Sequence, residues 1–510
     1  MGAKDSQRIE YGDFQTPAAL ATEVCKLLAD DGLKPDSVLE PTCGKGSFLV
    51  AALRSFPSAR RVLGVELNPD YVAAATKVLA EKKRTRSANV MEADFFAIDW
   101  QEVLEGLTGK LLVLGNPPWV TNAALGRLGG LNLPEKSNFQ RHRGFDAKTG
   151  KSNFDISEWM LLQILDWVDR RPATIAMLCK TAVARKVLLH AWRHDQQLEN
   201  ARIFQIDAKR HFGASVDACL FVCHSSETAH VKEATIYTAL DAARPSRAIG
   251  YRNGRLLADL AAYERWEHLA GQEKGHYRWR SGVKHDCAKV MELWKKGGRY
   301  QNGLGDEVDI EGDLVFPMLK SSEVARYPDS RRPRWMLVTQ RAVGEDTSKI
   351  ERQAPLTWRY LEKNGNRLDA RRSSIYQKQP RFSIFGVGDY TFAPWKVAIS
   401  GFYKKLEFKV IEPKHGKPTI LDDTCYFLAC ETRNEAEYLG SLLNSQPARQ
   451  FLGAFIFWDA KRPITVDVLR RLDLSALAQE LGSEETMRTY LGTKPNYQGA
   501  KTDHRQLALT

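Results

Sequence analysis

The feature that most constrains this chain is the regular alternation of short apolar strands with amphipathic helices through its first 230 residues. SVLEPT (37–42), RRVLGVEL (60–67), KLLVLGN (110–116) and ATIAMLC (173–179) are compact apolar runs of strand length. Between them, FLVAALRSF, DYVAAATKVLAEKKR and NFDISEWMLLQILDWVDR repeat apolar side chains at three- and four-residue intervals, which predicts helices. RIFQIDA and ACLFVCH read as a final strand pair. Such alternation predicts an α/β fold: a Rossmann-like, mostly parallel sheet with helices on both faces and a terminal antiparallel strand. Sheets of this kind bind ligands outside the carboxyl ends of their strands, so the strand ends are where function is to be sought.

The pattern changes near residue 240. ARPSRAIGYRNGR is polar and turn-rich, and beyond it come short apolar runs such as DLVFPML, RWMLVTQ, RFSIFGVG and CYFLAC, broken by Gly, Pro and Asp. The expected organisation is a catalytic domain over 1–240, a connection over 241–285, a mixed α/β domain over 286–482 and a loosely ordered polar tail over 483–510. One helical stretch is expected within 435–452. No apolar run is long enough to span a bilayer and the N-terminus is polar, so a cytoplasmic protein without membrane association is expected. Eight scattered cysteines form no CxxC pair and no zinc spacing, so reduced thiols and no metal are expected.

Charge is unevenly placed. The chain carries a net +12. Residues 1–240 hold 30 basic and 28 acidic side chains, whereas residues 331–410 hold 17 and 7. A local basic block suits a polyanion, although a solvated basic face is the plainer alternative.

The strand ends carry the chemistry. After the first strand come Glu40-Pro41-Thr42-Cys43-Gly44-Lys45-Gly46. Gly44 and Gly46 allow a sharp turn and close backbone approach to a ligand. The carboxylate of Glu40 would attract the amino end of a cationic amino-acid ligand such as S-adenosylmethionine (SAM), where a dinucleotide fingerprint would need a third glycine. Glu66 ends the next strand, placed to accept hydrogen bonds from ribose hydroxyls. Asp94 and Phe95 follow as partners for an adenine amine and ring. Each element alone also suits an ordinary strand-end loop; in this order and spacing they define a SAM-type nucleoside site.

The fourth element is Asn116-Pro117-Pro118-Trp119, directly after KLLVLGN. The prolines keep the backbone out of helix. The Asn116 side-chain oxygen and the Pro117 carbonyl can both accept from one amino group, and Trp119 offers a flat face for a planar base. A proline turn with a packing tryptophan is the structural alternative.

Together these residues resemble the gamma-class N6-adenine DNA methyltransferases of the TaqI-like type. The resemblance implies cofactor contacts from Thr16 and Pro17, within Gly12-Asp13-Phe14-Gln15-Thr16-Pro17, and from Glu40, Gly44, Gly46, Glu66, Asp94, Phe95 and Asn116. It implies that Asn116, Pro117, Pro118 and Trp119 hold the flipped adenine, with Phe212 of His211-Phe212-Gly213-Ala214-Ser215 packing on its other side; a Phe before a core strand also serves as packing. Double-stranded DNA is the implied partner. VFPMLK (315–320) and YLGSLLNS (438–445) resemble the class's C-terminal specificity domain, which coincides with the basic block. Arg341, Lys349, Arg352, Arg359, Arg371, Arg372, Lys378 and Arg381 are its candidate DNA contacts, and Tyr376 and Trp395 serve either as stacking groups or as core.

A long segment between the third strand and the next helix repeats Lys-Ser-Asn-Phe at 136–139 and 151–154. Its Arg141, Arg143, Lys148 and Lys151 suggest DNA contact near the flipped base, with a lid over the pocket equally open. The competing activities are methylation of RNA or of a protein glutamine amide by the same amine-binding turn, and a DNA reader without activity. No acidic cluster has a nuclease arrangement, so a restriction or defence partner is expected as a separate chain.

Overall fold

The computed structural model describes residues 15–81, 87–120, 155–169, 171–225, 231–271, 277–328 and 333–492. The chain divides between Ala261 and Ala262 into two compact units.

The first unit is built on ten strands: β1 (Ser37–Glu40), β2 (Arg61–Glu66), β3 (Ser87–Glu92), β4 (Leu111–Gly115), β5 (Ala173–Lys180), β6 (Leu198–Ile206), β7 (Ala218–Ser225), β8 (Glu233–Tyr237), β9 (Arg247–Arg252) and β10 (Arg255–Leu257). Their order is β3-β2-β1-β4-β5-β7-β6-β8-β9-β10. Strands β3, β2, β1, β4 and β5 run parallel, and β7 runs against both β5 and β6. Every residue of β4 and all but the last of β5 are buried, as expected of strands covered on both faces. The expected α/β, mostly parallel sheet is therefore present, with one correction. The antiparallel β7 is internal rather than terminal, and β6, β8, β9 and β10 continue the sheet beyond it. The last two strands form a hairpin whose turn residues, Asn253 (φ 51°) and Gly254 (φ 76°), adopt the left-handed backbone that Asn-Gly favours in tight hairpins. Residues 247–257, read from sequence as part of a connection, are thus sheet.

Helices fill the crossovers: α1 (Ala18–Asp30), α2 (Ser47–Ser55), α3 (Pro69–Ala80), α4 (Trp100–Glu105), α5 (Ile156–Val168), α6 (Thr181–Arg193) and α7 (Ala208–Phe212). Leu20, Val24 and Leu28 of α1 lie four residues apart and pack with Phe48, Leu49 and Ala52 of α2 on the inward side chains of β1, β4 and β5. This packing sets α2 with its N-terminus at the end of β1. No helix among the described residues is long and apolar enough to cross a membrane.

The second unit holds β11 (Arg280–Ser281), β12 (Glu292–Lys296), β13 (Arg299–Asn302), β14 (Glu307–Val308), β15 (Val315–Leu319), β16 (Arg334–Leu337), β17 (Trp395–Ser400), β18 (Lys409–Ile411), β19 (Ile420–Leu421) and β20 (Cys425–Cys430). They form a six-stranded sheet, β14-β13-β12-β16-β15-β19, and a four-stranded sheet, β11-β20-β17-β18. Two buried charges mark its interior. Glu292 on β12 is paired with Lys320 (2.5 Å), Arg334 and His285 (3.4 Å). Lys396 on β17 is almost wholly buried and donates to the Ala393 carbonyl at 2.6 Å. The expected helical stretch at 435–452 is two helices, Arg433–Leu443 and Gln446–Gly453, because the Ser445 hydroxyl caps the second and Pro447 sits in its first turn. The expected loose tail begins instead with a helix over Glu484–Gly492 that buries Met487.

Candidate active site

Five strand ends build the site. Parallel registers set Glu40 opposite Gly64, Glu66 opposite Glu92, and Gly115 opposite Met177, so the carboxyl ends of β1, β2, β3, β4 and β5 line one edge of the sheet.

At the end of β1 the chain turns through Gly44 (φ 51°) and Gly46 (φ 82°) into α2. A Cβ on Gly46 would lie 3.2 Å from Cβ of Ala75 in α3, and one on Gly44 would lie 2.6 Å from Oε1 of Gln15. Both glycines are required by φ; the approach to Ala75 at Gly46 is tight, whereas Gln15 at Gly44 presents the end of a flexible side chain. Glu66 braces the turn: Gly44 N–H donates to its Oε2 at 2.8 Å and Asn68 N–H to its Oε1 at 2.9 Å. Each oxygen keeps a second acceptor direction. Gln15 closes the turn from the other side, accepting from Lys45 N–H at 3.1 Å. Thr16 and Pro17 are half-buried, and Pro17 leads into α1.

Glu40 is the unusual group. It is 3% exposed, and its Oε2 has no hydrogen-bond partner among the described residues. Burial pushes its carboxyl well above the usual carboxylate range; the Leu49 backbone N–H pulls the other way, and the neighbouring Glu66 charge adds to the rise. The hydroxyl of Thr42 is likewise buried without a partner among the described residues. A buried carboxylate oxygen and a hydroxyl left open beside a glycine turn fit a ligand that brings a cation and its own N–H donors. The α-ammonium of SAM has that chemistry, with Glu66 at hand for hydroxyls.

The nucleoside end is placed less simply. Asp94 is half-buried and accepts from Phe96 N–H at 2.9 Å. Phe95 is 6% exposed, inside an aromatic cluster with Trp100 (centroids 5.0 Å), Trp167 (5.4 Å), Phe96 (5.4 Å) and Trp159 (6.2 Å). It thus serves as a core residue here, whatever edge it presents to a ligand.

Gly115 ends β4 at φ 155°, and a Cβ there would stand 3.4 Å from Cγ of Glu40. The residue that leads into the Asn116-Pro117-Pro118-Trp119 turn therefore lies beside the Glu40 side chain. Asn116 and Pro118 are half-buried, so this strand end is not sealed. Trp119 is 5% exposed and meets Phe212 edge-on, centroids 5.0 Å apart at 69°. Its indole N–H donates to the Leu178 carbonyl at 3.4 Å and its own carbonyl accepts from Lys180 Nζ at 2.9 Å. Lys180 also pairs with Asp155 at 2.5 Å. Sequence reasoning brought together Glu40, Glu66, Asn116, Trp119 and Phe212. It passed over Gln15, Thr42, Asp155 and Lys180 as site residues; the strand-end position of Lys180 was the available signal.

In the second unit the basic candidates differ in setting. Arg372, Lys378, Arg352 and Arg359 are exposed. Arg341 lies over the Phe392 ring at 4.2 Å, and Arg381 pairs with Asp369 at 2.9 Å. Lys349 pairs with Glu345. Arg371 is engaged inside the unit, donating to the Leu368 and Ser383 carbonyls at 2.7 Å and covering Tyr376 at 3.7 Å. Tyr376 and Trp395 are half-buried. Arg141, Arg143, Lys148 and Lys151 lie outside the described residues.

The strand order with its reversed β7, and the open carboxylate beside the glycine turn, define a SAM-dependent methyltransferase. No family model matches the chain. It is 45% identical over 478 residues to the type II methyltransferase M.NspV of Nostoc sp., across 93% of this chain and 98% of that one. The chain belongs to the type II methyltransferase family. A shorter match, 30% over 115 residues, links it to the type II methyltransferase M.XamI of Xanthomonas campestris pv. amaranthicola, covering 22% of this chain and 21% of that one. Among solved structures, the type IIL restriction-modification enzyme MmeI, in complex with DNA, shares the fold with a TM-score of 0.52 at 14% identity, over 96% of this chain and 69% of that one.

Proposed function

We propose that this chain is a site-specific DNA methyltransferase of the gamma class that methylates N6 of an adenine flipped out of the duplex, with a TaqI-like specificity domain. The observation that carries the reading is the adjacency of two strand ends: β4, which leads through Gly115 into the Asn116–Trp119 turn, lies beside β1, which ends in Glu40, the group open to the SAM amino end. Membership of the type II methyltransferase family supports a DNA substrate, and the order of the parts, cofactor turn before amine-binding turn before a large C-terminal unit, supports the gamma class.

In this reading SAM supplies an electrophilic methyl group on a cationic sulfur. The residues of the chain bind and orient. Glu40 and Thr42 take the amino-acid end, Glu66 the ribose hydroxyls, and Asp94 an adenine edge. The Asn116 side-chain oxygen and the Pro117 carbonyl accept the two N–H bonds of the target amine and leave its lone pair facing the methyl. Positioning, rather than a strong base, supplies the acceleration. Trp119 stacks the extruded base. Because Phe212 meets Trp119 edge-on, a base gains the indole face only by displacing Phe212 or by entering from the opposite side. The second unit contacts the duplex through exposed cations such as Arg372 and Lys378, with Arg381 close to Lys378 in sequence and Arg341 as a further candidate. A nuclease partner, if one acts with this chain, is a separate protein.

The test supplies labelled SAM to separate pools of DNA, RNA and protein. Label on N6-methyladenine in digested DNA is expected, and Asn116→Ala should lose turnover by at least about 100-fold while SAM binding stays nearly intact. Label confined to RNA or protein, or an Asn116→Ala enzyme that still turns over, would reject the proposal.

A further inference from the structure

We infer that Lys180 is a positioning residue for methyl transfer, holding the Asn116–Trp119 turn in place from the end of β5. This inference rests on the reading of that turn as the amine-binding element. Lys180 is the last residue of β5, opposite Ala218 where β7 begins, and its side chain crosses to the neighbouring strand end. Its ammonium makes two short contacts, to the Trp119 carbonyl at 2.9 Å and to Asp155 Oδ2 at 2.5 Å. Charge-assisted bonds of this length are the stronger class, and Asp155 is nearly buried, which shields the pair from water.

Asp155 does a second task. Its other oxygen, Oδ1, accepts from Ser157 N–H at 3.1 Å and Ser157 Oγ at 2.5 Å, capping α5. The next residue, Ile156, donates its backbone N–H to the Val120 carbonyl at 2.9 Å. One ammonium therefore ties together the end of β5, the last residue of the amine-binding turn and the start of α5. Trp119 is held on β5 at two points, through its indole N–H to Leu178 and through its carbonyl to Lys180. Two anchors on one residue fix both its backbone plane and its ring plane. The Lys180 ammonium is engaged by the Trp119 carbonyl and by Asp155, so the role inferred is positioning through Trp119 rather than catalysis.

Loss of the lysine alone strands a nearly buried carboxylate, so Lys180→Met can fail for lack of stability. The decisive variant is therefore Lys180→Met with Asp155→Asn, which removes both charges and keeps the shapes and a helix cap. Lys180→Arg retains the charge and is the rescue control. For the double variant we expect SAM affinity and thermal midpoint close to wild type, with kcat lowered by about 100-fold, the loss that follows roughly 1 Å of misplacement. Lys180→Arg should recover much of it. A double variant with wild-type kcat would overturn the inference, as would one whose kcat, SAM affinity and thermal midpoint fall together. Failure of the underlying reading shows separately, as continued turnover by Asn116→Ala in the same assay.

Discussion

Glu40→Gln should make the ligand-free protein more stable and the SAM-binding protein worse. Glu40 is 3% exposed, its carboxyl is pushed well above the usual range chiefly by burial, and Oε2 faces no donor among the described residues. An acid whose folded pKa is raised holds its proton in the folded state after the unfolded chain has released it. Stability from this group is thus present at low pH and declines as pH rises from the ordinary carboxylate range towards the raised value. The glutamine variant lacks that decline. The SAM ammonium needs the ionised carboxylate, so binding should expel a proton wherever the free protein still holds one. The charge-assisted bond it makes is worth about 1.5–3 kcal/mol, which predicts a Kd weakened by roughly 10- to 150-fold in Glu40→Gln. Titration calorimetry in two buffers of different ionisation enthalpy reads the proton directly: a buffer-dependent heat for wild type and none for the variant. Equal SAM affinity in the two proteins, or a wild-type heat independent of buffer, would refute the assignment of Glu40 to the cofactor's amino end.

Two further predictions concern the second unit. Burial lowers the Lys396 ammonium to a pKa of about 7. The folded state there carries a penalty on the order of 5 kcal/mol that is complete below pH 7 and relieved between pH 7 and the unfolded value near 10.5. Lys396→Met should therefore be the more stable protein in urea at pH 6, by a margin that narrows by pH 10. Around Glu292, burial alone would raise the carboxyl, but the bonds from His285 and Lys320 outweigh it and hold it at about 2. Its contribution is present above the ordinary glutamate range and lost as pH falls towards 2. Glu292→Ala leaves Lys320 and Arg334 facing each other and should cost about 3 kcal/mol, less than a fully buried pair because both cations reach solvent; chemical denaturation at pH 7 and pH 3 should show the cost shrinking at the lower pH.

Much of the first unit was legible because its strands are short, apolar and end in residues whose chemistry differs from their packing. Glu40 directly before a glycine turn and Asn116 directly before two prolines cannot be explained by burial alone, and the structure sets those two strand ends side by side. What escaped the sequence was decided by distant partners. Phe95 looks like a stacking residue from its position, yet Trp159 and Trp167, more than sixty residues away in the chain, enclose it. Lys180 reads as an ordinary strand end until Asp155 and the Trp119 carbonyl are brought to it. Arg371 reads from sequence as a candidate DNA contact, and only the folded chain supplies the Leu368 and Ser383 carbonyls that engage it. The hairpin at 247–257 was missed for the opposite reason. Its Asn253-Gly254 signal was present, but its flanking strands are too polar to stand out from a linker.

The backbone bond from the Ile156 N–H to the Val120 carbonyl hands the chain from the Asn116–Trp119 turn to the first residue of α5 in one step. The turn and the helix start thus share a hinge pin, and a substitution that shifts the first residue of α5 should be felt in the seating of Trp119.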